Sequence, residues 1–143
     1  MLFRSNAEAY LRYLVNEIHT TVVATVDDEG LPVTAAIDMM DSDGDGLYFL
    51  TAKGKSLYER LKKRGFLALT AIKGENTMTS IAVSIRGKVR ELGFDRIPEL
   101  FEKNPYMHEI YVRKRNCLRC LQEQIAWPGK CGYWLIGWPK TML

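Results

Sequence analysis

The sequence predicts a mainly β fold with flanking helices and an antiparallel sheet. Three observations predict it. Residues 20–26 fall on two faces with a period of two, and "LPVTAAIDMM" resumes extended structure with β-branched residues that favour it. The breaks between such runs, "DDEG", "DSDGDG" and "GENT", are turn-sized and rich in Gly, Asp and Asn. Strands joined by short connections pair antiparallel, and the regular strand–helix alternation of a parallel dinucleotide-binding sheet is absent from this pattern. Such a sheet can close into a barrel and so hide its edges.

The elements follow in order. Ala7, Tyr10, Leu11, Leu14 and Ile18 stand at helical spacing, so residues 6–18 read as an amphipathic helix with Ser5 or Asn6 as its cap. Then the period changes: Val22, Ala24 and Val26 alternate with Thr21, Val23 and Thr25. "DDEG" turns the chain into "LPVTAAIDMM", whose Pro32 stands near a strand start, where a missing donor is tolerated. "DSDGDG" is a second turn. Asp41, Asp43 and Asp45 resemble half of a calcium loop, but Ala52 stands where its bidentate glutamate belongs, so a solvated hairpin turn is the expectation. "GLYFLT" is a third strand, 56–64 a helix and "GFLALTAI" a fourth strand. "MTSIAVSIRGKVREL" is a long fifth strand, expected to bulge at Gly87. A short helix beginning or breaking near Pro98 comes next, then more helix over "YMHEIYVRKRNCLRCLQEQ" and a last strand in "CGYWLIGWP".

With 143 residues, one domain spanning 1–143 is expected. Apolar residues make up 47% and charged residues 26%, a globular balance. A net charge of +3 with no long basic stripe argues against a nucleic-acid partner but suits a small anion. The N-terminal stretch is charged throughout and no apolar run reaches membrane-spanning length, so a cytoplasmic protein with no membrane partner is expected.

The stretch "YFLTAKGKSLYERLKKRG" concentrates the chemistry. Lys53, Lys55, Arg60, Lys62, Lys63 and Arg64 are opposed only by Glu59. Gly54 permits a tight turn before the helix, Ser56 with Glu59 fits a capping box, and Thr51 ends the strand with a hydroxyl. A helix start with free amides and a nearby lysine can satisfy a phosphate. The same residues also suit a solvated helix face. A Walker loop is excluded, because "GKS" lacks the glycine-rich approach.

"TTVVATVDDEGLPVTAAID", "DGLYFLTAKGKSLYERLKKRGFLALTAI" and "SIAVSIRGKVREL", in this order, resemble the pyridoxamine 5′-phosphate oxidase-like FMN-binding split barrels over roughly residues 7–110. The resemblance implies an antiparallel split β-barrel of the FMN-binding type, working as a homodimer with the flavin at the subunit interface. It implies Lys55 and Ser56 as the main phosphate ligands, assisted by Thr51 and Lys53, with Val33, Thr34 and Ala35 lining the flavin and residues near Ser80–Ala82 completing the pocket. The implied activity is that of an FMN-dependent oxidoreductase or reductase on a small cytoplasmic molecule, with NADH or NADPH as a possible electron donor. No catalytic residue is named, since the flavin carries the difficult step. The alternatives are a non-catalytic flavin-binding or redox-sensing module and a metal-stabilised domain without flavin. Haem or a deazaflavin also suits such a groove.

Residues 104–143 depart from the family pattern. Cys117 and Cys120 have knuckle spacing and Cys131 follows, but three thiols fall one short of a closed zinc or iron–sulfur set, so no metal site is assigned. His19 and His108 read as structural, Arg86 and Lys88 as outward strand charges, and Trp127, Trp134 and Trp138 as core or interface anchors.

Overall fold

The structure, a computed structural model, describes residues 2–92, 96–107 and 131–137, with side chains over 7–92 and 96–107. Helix α1 covers Leu2–Tyr13 and runs into a π-turn at Leu14–Ile18. Strands β1 (Thr20–Val26), β2 (Pro32–Asp38), β3 (Asp41–Asp43) and β4 (Gly46–Ala52) follow, then α2 (Ser56–Arg64), β5 (Phe66–Lys73), β6 (Ile81–Leu92), α3 (Ile97–Lys103) and β7 (Cys131–Gly137). The helix thus begins before Ser5 and Asn6, which lie inside it rather than at its cap, because Leu2, Phe3 and Arg4 extend the first turn.

All pairings are antiparallel, in the order β2-β1-β5-β6-β7-β4-β3. Laid flat, six spacings of about 4.8 Å would put β2 and β3 about 29 Å apart. Yet only Met39 and Met40 separate β2 from β3 in the chain, and two residues span about 10 Å at most between the strand ends. The sheet must therefore roll up until its end strands meet. Among the described residues no ladder joins β2 to β3, so the barrel is split along that seam, as the family resemblance implies.

β6 makes the roll possible by changing partners. Its first part pairs with β5 from Ile81↔Lys73 to Lys88↔Phe66, and its end pairs with β7 from Val89↔Ile136 to Leu92↔Tyr133. The expected bulge at Gly87 is absent: Gly87 pairs with Leu67 in unbroken register. The "DSDGDG" segment also contains more structure than a turn, since Asp41–Asp43 pairs with Gly46–Tyr48 as a short strand. Its aspartates are engaged by the fold. Asp43 Oδ1 accepts from the Asp45 and Gly46 amides, and Asp41 lies 2.8 Å from Lys103 and 3.4 Å from Arg96 on α3.

The barrel interior holds Leu11, Leu14, Val23, Met39, Leu47, Phe49, Leu61, Leu67 and Leu69. A second cluster packs Met40, Tyr48 and Leu50 against Ile97, Leu100 and Phe101. β4 is thus covered on both faces, which explains why "GLYFLT" reads as a continuous apolar run. On β1 the threonine face turns inward. Thr21 and Thr25 are buried because their hydroxyls donate to the Ile37 and Val33 carbonyls of β2, which removes the penalty of burying them. Asn104 is buried at the foot of α3, where its amide donates to the Met40 and Leu100 carbonyls at 3.0 and 2.9 Å. Asn104→Ala should leave the Met40 carbonyl without that donor, so unfolding free energy in urea should drop by about 1–3 kcal/mol. An unchanged midpoint would show that Asn104 does not tie the α3 cluster to the barrel.

Candidate functional site

The basic corner forms where β4 hands over to α2. The Lys55 amide donates to the Ala52 carbonyl, closing a turn over 52–55. Lys55, extended at φ −90° and ψ 144°, is the residue that caps α2, and Ser56 is the first helical residue. The expected capping box is therefore not made: among the described residues no side chain caps this end. The physical reason is register, since Ser56 is the first helical residue and the cap position, whose side chain would accept from the second- and third-position amides, is taken by Lys55. The amides of the first turn, Ser56 to Tyr58, are left pointing forward from a positive dipole end. Gly54 has no positive φ, and a side-chain carbon placed on it would meet nothing within 4 Å. Its effect is to leave the approach open rather than to permit the turn.

The basic residues of this stretch sort into two groups. Most are committed to the fold. Arg60 Nε donates to Thr25 Oγ1 at 2.7 Å, Arg64 donates to the Asp27 carbonyl at 2.5 Å, and Lys63 pairs with Asp28 at 2.6 Å. Lys62 lies over the Tyr58 ring. Lys53 Nζ is 3.9 Å from Glu91 Oε1. The Arg60, Arg64 and Lys63 bonds pin α2 to the β1–β2 hairpin. Lys55 differs: it is exposed, and among the described residues it forms no ion pair. Ser56 is exposed beside it, at the edge of a cleft of about 480 Å³ that also includes Val26, Asp28 and Arg60.

Thr51 stands apart from that pair. It is 3% exposed, and its Oγ1 is buried without a hydrogen-bond partner among the described residues. On β2, Val33 and Ala35 turn toward the interior while Thr34 is exposed on the outer face. The three cannot present side chains to one surface. β2 is, however, an end strand of the ladder, so its outer edge offers backbone groups. Thr25 connects the two halves of the predicted site, since its hydroxyl accepts from Arg60 of α2 and donates to the Val33 carbonyl of β2.

Sequence reasoning did not anticipate Thr25, Tyr58 or Glu91. The Tyr58 hydroxyl lies 2.9 Å from both Glu91 carboxylate oxygens, bridging α2 to β6 under the corner. Only pairing across 33 residues reveals this contact, although a tyrosine on the inward stripe of an amphipathic helix hints at a buried partner. The Lys63 hydrogen bond holds the exposed Asp28 carboxyl below its ordinary range.

The outer face of β2, β1, β5 and β6 carries few charges. Its registered rows are Ala36, Val22, Thr70 and Ser84, then Thr34, Ala24, Ala68 and Arg86. Val22 is 52% exposed, and Ile72 is exposed at one end of the face. Ser80, in the tight loop before β6, donates its hydroxyl and amide to the Asn76 carbonyl. Arg86 and Lys88 point outward, as expected. Among the described residues no cluster of three or more His, Cys, Asp or Glu could hold a metal. Cys117, Cys120, His108 and Trp127 lie outside the described residues, and Cys131 opens β7 opposite Ala52. No helix among the described residues is long and apolar enough to cross a membrane.

Burial, and then the Glu91 carboxylate, push the Tyr58 phenol up from 10.0 to about 12. The folded chain holds this proton more tightly than the unfolded one. The associated stabilisation is complete below pH 10 and is lost as pH rises from 10 through about 12. Thermal midpoints measured across that window should fall more steeply for the parent protein than for Tyr58→Phe. Parallel curves would remove Tyr58 and Glu91 from the set of contacts that hold α2.

A sequence profile described as pyridoxamine 5′-phosphate oxidase matches residues 7–124. No curated protein matches the chain by sequence. Solved structures share its fold. The heme storage protein HutZ of Vibrio cholerae superimposes with a TM-score of 0.65 at 12% identity, over 91% of this chain and 88% of that one. A NimC/NimA family protein of Clostridium acetobutylicum gives 0.63 at 13% identity, over 94% and 81%. A heme binding protein of Mycobacterium smegmatis gives 0.61 at 12% identity, over 91% of this chain and 50% of that one.

Proposed function

The chain belongs to the pyridoxamine 5′-phosphate oxidase family, and from that premise we propose that it is an FMN-dependent oxidoreductase acting on a small molecule. One observation carries this reading: among the described residues no side chain caps the start of α2, and Lys55, exposed beside it, forms no ion pair. A phosphate dianion has the charge and the acceptor count that forward-pointing amides and a lysine satisfy. Lys55 and the Ser56 hydroxyl would hold it, with Lys53 reachable by release from Glu91. Thr51 would act from below: its buried hydroxyl, without a hydrogen-bond partner among the described residues, suits a site that gains an acceptor when the corner is filled.

Bound flavin supplies two-electron chemistry, with a nicotinamide or the substrate as donor. The chain's own residues bind and orient it. Arg60 and Thr25 set the distance between the phosphate corner and β2, and the backbone edge at Val33–Ala35 faces the ring system. The protein works as a homodimer in this reading. The weakly charged outer face of β1, β2, β5 and β6 is the surface a second copy covers, and the flavin groove lies along its margin.

Heme is the second reading, because two proteins of this fold are described as heme storage and heme binding proteins. Heme has no phosphate, but its propionate carboxylates would also suit the α2 start; a phosphate dianion brings more charge and more acceptors to it. A non-catalytic flavin module is separated from an enzyme by reduction: bleaching of the bound flavin by NADH or NADPH and its return with an acceptor mark the enzyme.

Lys55→Ala should weaken FMN about 10- to 100-fold, the loss of one charge-assisted hydrogen bond, while changing riboflavin affinity by less than about twofold. Flavin-fluorescence quenching measures both, and equal losses would rule out Lys55 as a phosphate ligand. Val22→Asp should convert the dimer to monomers in sedimentation velocity and lower FMN affinity with it. A monomer that retains full FMN affinity would place the flavin away from the subunit interface.

A further inference from the structure

A second polar cleft lies at the other end of β1. The α2 corner meets this strand at Val26, whereas His19 precedes its first residue, Thr20, and seven extended residues separate the ends by about 20 Å. The cleft has a volume of about 530 Å³ and is lined by Arg12, Asn16, His19, Ser42, Lys103 and Asn104, with Asp41 in its wall. That volume falls within the roughly 300–1,000 Å³ of small-molecule sites.

Three features converge on His19 in its wall. The helix that leads into it ends in a π-turn over Leu14–Ile18, closed by the His19 amide on the Leu14 carbonyl at 2.7 Å. Such turns are uncommon and cluster at functional sites. His19 itself sits at φ 67° and ψ −65°, the only residue other than glycine with positive φ among those described. A side chain rarely adopts this backbone unless the surroundings enforce it. Here they do: the His19 carbonyl accepts from the Met39 amide, its Nε2 is hydrogen-bonded to the Tyr106 hydroxyl, and that hydroxyl donates to Asp38 Oδ2 at 3.1 Å. The two rings meet edge to face with centroids 5.3 Å apart, and Asp38 is held in turn by the Thr20 hydroxyl at 2.7 Å. The imidazole is thus fixed on the cleft wall by a relay built from three separate elements.

The charged residues that line the cleft are Arg12, Lys103 and Asp41. Asp41 pairs with Lys103 at 2.8 Å and Arg96 at 3.4 Å, cations that Glu99 also shares. Arg12, on the last turn of α1, has no carboxylate partner among the described residues, so its guanidinium fork is available. Asn104 forms the rigid floor, its amide donors committed to Met40 and Leu100. A planar fork in a cleft that Asn16 and Ser42 also line suits a carboxylate or phosphate.

We propose that this cleft is a second binding site, for a small molecule bearing an oxyanion, in which Arg12 takes the charge and His19, fixed by Tyr106 and Asp38, lines the bound group. It is separate from the flavin corner and does not depend on it. Amide chemical-shift titrations of the full-length protein with inorganic phosphate and, separately, with malonate test it. The expected result is saturable shifts at Asn16, Ser42 and Asn104 with at least one of the two anions, and the tighter anion identifies the head group. Arg12→Gln, an exposed change that leaves the core untouched, should weaken this response at least fivefold, and His19→Asn should weaken it also. Lys55→Ala should leave it unchanged. Shifts confined to residues 53–58 with both anions, the absence of saturable shifts, or an undiminished response in Arg12→Gln would each overturn the proposal.

Discussion

Met39 and Met40 connect two strands that the hydrogen-bond ladder places at opposite ends of the sheet. That short link is the constraint on which the rest depends. It makes a flat sheet impossible, so β6 must leave β5 and continue on β7, and β4 must be brought between the barrel interior and α3. Both methionines are buried, Met39 in the barrel core and Met40 in the α3 cluster, so the link also joins the two cores. Closure places the β4–α2 junction beside one end of β1 and the α1–β1 junction at the other. The two clefts therefore lie at opposite ends of one strand.

The α2 segment shows how a charged stretch divides its labour. Arg60, Lys63 and Arg64 bind to Thr25, Asp28 and the Asp27 carbonyl, so three of the cations serve to position the helix against the β1–β2 hairpin. Exposed pairs such as Lys63–Asp28 contribute little stability. The Arg60 contact has more consequence, because Thr25 passes it on to Val33 and so couples the helix to the end strand. What remains at the front of the helix is Lys55, and its isolation among the described residues is what makes it chemically interesting.

Threonines and small residues give the sheet two unlike faces. Inward threonines satisfy their hydroxyls on β2 carbonyls and tie the end strand to its neighbour. Outward positions over the two central rows are Ala, Thr, Ser and Val, with Arg86 and Lys88 on β6 as the charges, and Thr70 and Ser84 are hydrogen-bonded to each other across strands at 3.0 Å. A surface of this kind is smooth enough for a second copy to pack on and too apolar to suit open water at full extent.

The order of strands, the two hairpin turns and helix 56–64 were legible in the sequence because they depend on local period and turn chemistry, which neighbouring residues carry. The basic cluster was legible as composition. Its sorting was not: only the folded chain decides that Arg60, Lys63 and Arg64 are consumed by the hairpin while Lys55 stays exposed, because their partners lie more than thirty positions away. Ser56 looked like a cap, yet one residue of register made it the first helical position. Thr51 looked available, yet alternation on a strand covered on both faces buried its hydroxyl. The role of Gly87 and the relay of His19, Tyr106 and Asp38 were likewise set by pairing across the chain. Local chemistry determined the elements. Which of their side chains meet was decided by closure, since a contact between residues distant in sequence exists only once the sheet has rolled.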